Sequence, residues 1–296
     1  MKVFVTGASG FIGSAVVQEL IAAGHQVTGL ARSEASAKAL EAAGAAVHYG
    51  SLEDLDSLKQ GAAASDGVIH LAFIHDFSKY KENCETDRLA IEALSAGLEG
   101  TDRPLIITSG TGVIAPGRLV TEADLSAVGS AAIPRVASEE AAAAAVARGV
   151  KASIVRLPPS VHGDGDRGFI PGLIAIAREK GVAAYVEEGT NRWPAVHRLD
   201  AAKVFRLALE KGDGRPVFHA VGDEGVAVKD LAGVISKKLD LPLQSVAKDD
   251  AAAHFGWLGM FVSLNIPASA QQTAEWLGWK PEHVGLVADL ENGTYF

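Results

Sequence analysis

Lys2-Val3-Phe4-Val5-Thr6-Gly7-Ala8-Ser9-Gly10-Phe11-Ile12-Gly13 opens the chain. Its first five residues are apolar and β-branched, the make-up of a buried strand. From Phe11 to Ala23 the apolar residues take a helical spacing that stops at Gly24. A glycine run alone is weak evidence, but one that follows a strand and opens a helix has the context of a dinucleotide-binding loop. Gly7 permits a tight turn, Gly10 lets the backbone approach a pyrophosphate, and Gly13 lets helix and strand pack closely. The helix N-terminus adds free N–H groups and a positive dipole end. Gly7, Ser9, Gly10, Phe11, Ile12 and Gly13 are therefore read as a phosphate-binding loop, against the alternative of a glycine-rich turn without a ligand.

The same rhythm continues outward. Strands are expected at Gln26–Leu30, Ala46–Tyr49, Gly67–Leu71, Pro104–Ser109 and Lys151–Leu157. Helices are expected between them, at Ser33–Ala43 with Ser33 as N-cap, at Asp54–Gln60, from about Asp76 to Leu98, and at Ser130–Arg148. Alternation of this kind implies an α/β fold, a doubly wound parallel sheet covered on both faces. After Pro158-Pro159 the rhythm changes. A helix near Ile170–Lys180, a strand at Trp193–Leu199, a helix at Asp200–Lys211 capped by Asp200, and further helices near Val228–Leu239, Ala251–Phe261 and Ala268–Leu277 suggest a small, mostly helical C-terminal lid. The expected division is a dinucleotide-binding part over 1–158, with 193–220 packing back onto it, and a substrate-binding lid from 159–192 and 221–296.

The 296 residues carry 27 Lys and Arg against 36 Asp and Glu, a formal charge of −9. The acidic balance argues against a nucleic-acid surface or an anionic membrane as partner. The single cysteine, Cys84, excludes an internal disulfide framework and a multi-thiolate metal site. No apolar run is long enough to span a bilayer, and the N-terminus reaches Gly7 too soon for a signal peptide. The expected address is the cytoplasm.

The second strand runs into Leu30-Ala31-Arg32-Ser33. An NAD site usually carries an acid here for the ribose 2′-hydroxyl. Arg32 suits a 2′-phosphate instead, and Ser33 adds a hydroxyl. NADP(H) is therefore the preferred cofactor and NAD(H) the alternative, unless Arg32 is only a solvated surface residue.

Several stretches together resemble the extended short-chain dehydrogenase/reductase family, which also holds epimerases and dehydratases. They are TGASGFIG at 6–13, DGVIHLAF at 66–73, TSG at 108–110, RLPPSVHGDGDRGFI at 156–170, WPAVHRLDAA at 193–202 and LGWKP at 277–281. The resemblance implies a Rossmann fold, with Ser51 and Leu52 beside the adenine and Leu71, Ala72 and Phe73 along the nicotinamide ribose. It places Thr108 at the cofactor and Pro158–Ser160 against the nicotinamide. It also implies a homodimer through the two long helices, 76–98 and 130–148.

The catalytic positions depart from that family. Its Tyr-x-x-x-Lys motif is absent: Tyr49, Tyr80 and Tyr185 are followed four residues later by Glu53, Cys84 and Gly189, and Tyr295 stands too near the end. By spacing, Arg135 occupies the Tyr place, Glu139 the Lys place and Gly110 the place of the catalytic Ser, with hydroxyls on Ser109 and Thr111 beside it. The chain reads as an atypical member.

A hydride transferred to a carbonyl builds an alkoxide that must be protonated or stabilised. Arg135 can stabilise it but does not release a proton. Glu139 could hold the ribose hydroxyls, although Arg135 and Glu139 could equally form a plain i, i+4 surface pair. Candidate proton donors are His75, at the C-terminal end of the fourth strand, and His162; the alternatives are a loop histidine and a structural one. His197 is read as structural. Phe169, Tyr185 and Trp193 are expected either to wall the substrate cleft or to pack the lid core. With neither HExxH nor a Cys/His cluster, no metal is expected.

Three functions follow: an NADP(H)-dependent oxidoreductase on a small carbonyl or alcohol, a catalytically silent NADP(H)-binding sensor, or an epimerase or dehydratase.

Overall fold

The computed structural model describes residues 1–114, 117–212 and 214–296, with Phe77 described by its backbone alone. The first half runs β1 (Lys2–Thr6), α1 (Phe11–Ala22), β2 (Gln26–Ala31), α2 (Glu34–Ala42), β3 (Ala46–Tyr49), α3 (Leu55–Ala63), β4 (Gly67–His70), α4 (Tyr80–Ala96), β5 (Pro104–Gly110), α5 (Ala137–Ala147) and β6 (Lys151–Leu157). The second runs β7 (Ser160–His162), α6 (Phe169–Lys180), β8 (Ala183–Val186), β9 (Arg192–His197), α7 (Arg198–Lys211), β10 (Val217–His219), β11 (Asp223–Ala227), α8 (Val228–Leu239) and β12 (Leu243–Val246). Four short helices follow, α9 (Ala251–Phe255), α10 (Gly259–Val262), α11 (Gln271–Leu277) and α12 (Leu286–Asn292).

Seven strands form one sheet in the order β10-β6-β5-β4-β1-β2-β3, and every pairing in it is parallel. The chain winds outward from β1 in one direction and from β4 in the other. That reversal opens a crevice beyond the C-terminal ends of β1 and β4, where doubly wound sheets bind ligands. The strands are apolar on both faces because helices cover both: Val3 and Val5 pack towards α1 and α7 with Leu20, Val204 and Phe205, while Phe4 packs with Leu58, Ile91 and Leu94 of α3 and α4. Phe218 of β10 and Val204 of α7 share the core of β1. A separate core, with Ile170, Trp193, Leu231, Phe255, Leu258 and Leu286, holds the C-terminal part. Two small sheets, β11-β9-β7 and β12-β8, accompany its helices.

Two local expectations shift, and one strand was not expected. The helix expected from Ser130 begins only at Pro134, with a 3₁₀ turn over Pro134–Val136 before α5. Ile133 ahead of it is extended (φ −122°, ψ 97°), since a proline disfavours helical backbone in the residue before it. Helix α7 starts at Arg198, two residues early, and its cap is His197, whose ring accepts from the Leu199 N–H. Asp200 lies inside the helix and holds the 282–283 turn instead, accepting from the Glu282 and His283 amides. The three residues of β10 are too few to show a period in the sequence.

Candidate functional site

Thr6 ends β1 and Gly7 turns the chain with φ +67°. A Cβ on Gly7 would stand 2.7 Å from the Ala72 nitrogen, and one on Gly13 only 2.0 Å from the Gly7 oxygen. Those two glycines are demanded by the protein's own packing. Gly10 is different: a Cβ there would meet only the Gly7 oxygen at 3.1 Å, and Ser9 and Gly10 are exposed. Helix α1 starts next, at the half-buried Phe11 and Ile12, with no side-chain cap and no acid in its first turn. Its leading N–H groups thus face outward beside a bare backbone.

At the end of β2, Arg32 is exposed and has no polar partner among the described residues. The Ser33 hydroxyl caps α2, accepting from the Ser36 N–H at 3.2 Å. Across the groove, Ser51 accepts from the Glu53 N–H and Leu52 is half-buried against the core under α3.

A buried polar chain runs from β1 to the start of α5. The Thr6 hydroxyl lies 2.7 Å from His70 Nδ1 and also accepts from the Ala72 N–H. His70 Nε2 lies 3.1 Å from Asp87 Oδ1 on α4. Asp87 Oδ2 accepts from Arg135 Nη1 at 2.7 Å and from the Ser138 hydroxyl. Burial pushes the Asp87 carboxyl up, but Arg135, His70 and Ser138 outweigh it and hold the pKa down at about 2. Arg135 also donates from Nη1 to Ser138 and from Nη2 to the Thr108 carbonyl. Three of the five guanidinium N–H bonds are thereby used.

The Arg135 guanidinium lies 4.4 Å above the Phe73 ring. His75 packs edge-on against the same ring at 5.3 Å, and Tyr80 at 6.3 Å. Leu71, Ala72 and Phe73 are half-buried along this edge. Burial of the His75 imidazole lowers its pKa; its backbone contact with Phe73 opposes this and Arg135 adds to it. Burial pushes the Tyr80 phenol up to about 12, with Cys84 adding and Arg135 opposing. Phe73, His75, Tyr80 and Arg135 thus meet at the C-terminal edge of β4.

Glu139 turns the other way. Its carboxylate accepts from Arg156 Nε and Nη2, both at 2.8 Å, and from the Ser109 hydroxyl at 2.7 Å. Arg156 is fully buried, and its Nη1 reaches the Asp124 carbonyl and His219. The Arg135–Glu139 surface pair is therefore not formed. The Ser109 hydroxyl and the Arg156 guanidinium thus both point at the Glu139 carboxylate, on the side away from Arg135. The Thr108 hydroxyl donates to the His70 carbonyl. Thr111 is buried and its hydroxyl has no partner among the described residues; the same holds for Ser160.

His162 is fully buried on β7, with Nδ1 2.8 Å from Asp289 Oδ2 on α12 and its ring edge-on to His197. Its side-chain bond and ring contact among the described residues go to Asp289 and His197 and do not join it to Phe73 or Arg135. Pro158, ahead of it, is buried beside Leu157. Trp193 is fully buried in the core of the C-terminal part, with Phe169 against it at 5.5 Å; Tyr185 carries Lys229 above its ring at 5.0 Å. His197, Asp200 and His283 offer one ligand atom each within 4.8 Å of one another. The two imidazoles are stacked nearly parallel (12°), so their in-plane lone pairs do not converge as a cation needs.

A family model described as the NAD dependent epimerase/dehydratase family matches residues 3–221. The chain belongs to that family. An uncharacterized protein of Schizosaccharomyces pombe is 52% identical over the whole of both chains. A decarboxylating sterol-4-alpha-carboxylate 3-dehydrogenase of Dictyostelium discoideum is 29% identical over 82% of this chain and 80% of its own. Among solved structures, a dTDP-glucose 4,6-dehydratase from Streptomyces venezuelae with NAD bound has a TM-score of 0.78, at 20% identity over 98% of this chain and 95% of its own. That last likeness shows the fold, a Rossmann α/β sheet.

The residues of this epimerase/dehydratase-family chain fit a nicotinamide dinucleotide. The uncapped α1, the open backbone at Gly10 and the unpartnered buried hydroxyls of Thr111 and Ser160 are the features such a ligand would complete. The sequence had not flagged His70, Asp87, Ser138, Tyr80 or Arg156. His70 and Arg156 left a local trace, a polar residue inside the apolar runs Gly67–Leu71 and Lys151–Leu157.

Proposed function

We infer that the chain is an NADP(H)-dependent oxidoreductase that interconverts a small carbonyl compound and its alcohol. In this reading Arg135 bears the charge on the reacting oxygen and His75 exchanges the proton. The observation that carries it is the meeting of Arg135 and His75 on one Phe73 ring beside the glycine loop. A bound nicotinamide supplies or accepts the hydride.

The rest falls to the chain. Arg135 is fixed by Asp87, Ser138 and the Thr108 carbonyl, which leaves Nε–H and one Nη2–H to donate to an oxyanion. A preorganised donor of this kind is worth roughly 10²–10³ in rate. A guanidinium does not give up its proton, so the proton must come from elsewhere. Histidine is the commonest general acid near neutral pH, and His75 is exposed enough to exchange with solvent. Thr111, buried and unpartnered, orients the oxygen. Arg32, with no acid beside it at the end of β2, favours the 2′-phosphate. The name of the Dictyostelium discoideum relative, a dehydrogenase, agrees with redox chemistry at a carbonyl.

The test is NADPH consumption against a panel of aldehydes, ketones and activated alkenes. Turnover that collapses in Arg135→Met supports the reading. Tight NADPH binding without turnover on any class favours a sensor. A second copy of the chain is the partner we propose for the outer faces of α4 and α5, where Leu89 and Val146 stand exposed; a monomer by light scattering at micromolar concentration rules it out.

A further inference from the structure

Arg198 is the first residue of α7, and a cation is disfavoured there by the helix dipole. It is half-buried, yet it forms no ion pair or hydrogen bond among the described residues. Its guanidinium lies 5.2 Å above the ring of Phe11, the first residue of α1. On the other side its stem is covered by the loop after β7, since a Cβ on Gly163 would come within 3.4 Å of Arg198 Cγ. Helices α1 and α7 pack on each other, and the contact between their first residues brings their positive ends and this guanidinium together. Neither helix offers a carboxylate to balance them there: α1 has no acid in its first turn, and Asp200 of α7 is turned to the 282–283 segment. An unbalanced half-buried cation beside uncapped N–H groups is a site short of an anion.

We propose that Arg198 and the first turn of α1 together bind the diphosphate of the dinucleotide, so that Arg198 sets the affinity for NADP(H) and NAD(H) alike. The proposal rests on the cofactor reading above and adds a residue to it. It separates two tasks. Arg32, at the far end of β2, acts on the 2′-phosphate and hence on selectivity. Arg198, at the glycine loop, acts on the diphosphate and hence on affinity without selectivity.

Direct binding tests this without any substrate. NADPH and NADH are titrated into the wild-type chain and into Arg198→Met, which keeps an apolar stem on Phe11 and removes the charge. Loss of a charge-assisted contact to phosphate is expected to weaken both dinucleotides by the same factor, roughly tenfold. Adenosine 2′-monophosphate carries no diphosphate and should bind both proteins equally. Arg198→Lys keeps the charge but not the planar fork, and about a threefold loss is expected; it replaces the Met variant if that one does not fold. Equal NADPH and NADH affinities in wild type and variant overturn the proposal, as does a loss confined to NADPH. A wild-type chain that binds neither dinucleotide overturns the cofactor reading itself.

Discussion

Asp87 of α4, itself buried, and Arg135, just ahead of α5 and partly exposed, form an ion pair at 2.7 Å, and the pair links the β4 strand end to the Phe73 ring. Asp87 is 1% exposed and also takes His70 and Ser138, so it is the hub of the arrangement. Asp87→Asn removes the negative charge and leaves Arg135 unbalanced. Breaking one side of such a pair costs about 3 kcal/mol, to be read as a lower urea midpoint. Because the folded pKa of Asp87 is depressed to about 2, its contribution is present above the ordinary carboxylate range and is lost as pH falls towards 2. The stability gap between wild type and variant should therefore be full at pH 7 and narrow below pH 4. A constant gap down to pH 2 would show that the charge of Asp87 does not matter.

His75 makes a different, kinetic prediction. As donor in carbonyl reduction it must be protonated, and its pKa lies below the ordinary 6.5. Reduction should thus fall off as pH rises through the region below 6.5, and alcohol oxidation should rise over the same range. His75→Gln should remove that limb and lower kcat at pH 6 by roughly a hundredfold. Tyr80, with its phenol at about 12, stays protonated throughout. A profile flat from pH 6 to 9, with the loss falling on Tyr80→Phe instead, would assign the proton to the tyrosine.

The sequence showed the sheet and the glycine turn between β1 and α1, because strand and helix periods and glycine spacing are local signals. The alternative it held open, an i, i+4 pair of Arg135 with Glu139, is not formed. That alternative assumed α-helical geometry through both residues, whereas Arg135 stands in a 3₁₀ turn over Pro134–Val136 ahead of α5. Their real partners, Asp87 and Arg156, lie 48 and 17 residues away. Nothing in a stretch of α4 marks one aspartate as the one facing inward until the helix is packed. Asp200 misled for a related reason: an acid near a helix start reads as a cap, whereas His197 provides the cap and the acid holds the 282–283 turn.

Gly10 separates a glycine kept for a ligand from glycines kept for packing. Its φ of −77° is ordinary for any residue, and a Cβ would meet only one backbone oxygen, at 3.1 Å. Gly10→Ala should fold, with stability within about 1 kcal/mol of wild type, yet lose dinucleotide binding by at least tenfold because the methyl group stands in the cradle. Gly13→Ala, with 2.0 Å to the Gly7 oxygen, should fail in folding itself. Thermal melts beside NADPH titrations separate the two. If Gly10→Ala binds NADPH as wild type does, the phosphates lie elsewhere.

Arg32 carries the choice of cofactor. It is exposed at the end of β2 and bonds to no described side chain, so its removal leaves the fold untouched. A contact between an exposed guanidinium and a 2′-phosphate is worth about 1–2 kcal/mol, or roughly tenfold in affinity. Arg32→Ala should therefore weaken NADPH about tenfold and leave NADH within twofold, bringing the two together. Arg32→Asp goes further. It supplies an acceptor for the ribose 2′-hydroxyl and repels the 2′-phosphate, so NADH should become the tighter ligand. The contact is a surface one, and salt screens it: the NADPH preference of the wild-type chain should shrink between low salt and 0.5 M salt, while the two Arg32 variants show no such change in their NADPH-to-NADH ratio beyond the repulsion that Asp introduces. Wild-type protein that binds NADH as tightly as NADPH at low salt would remove Arg32 from the site.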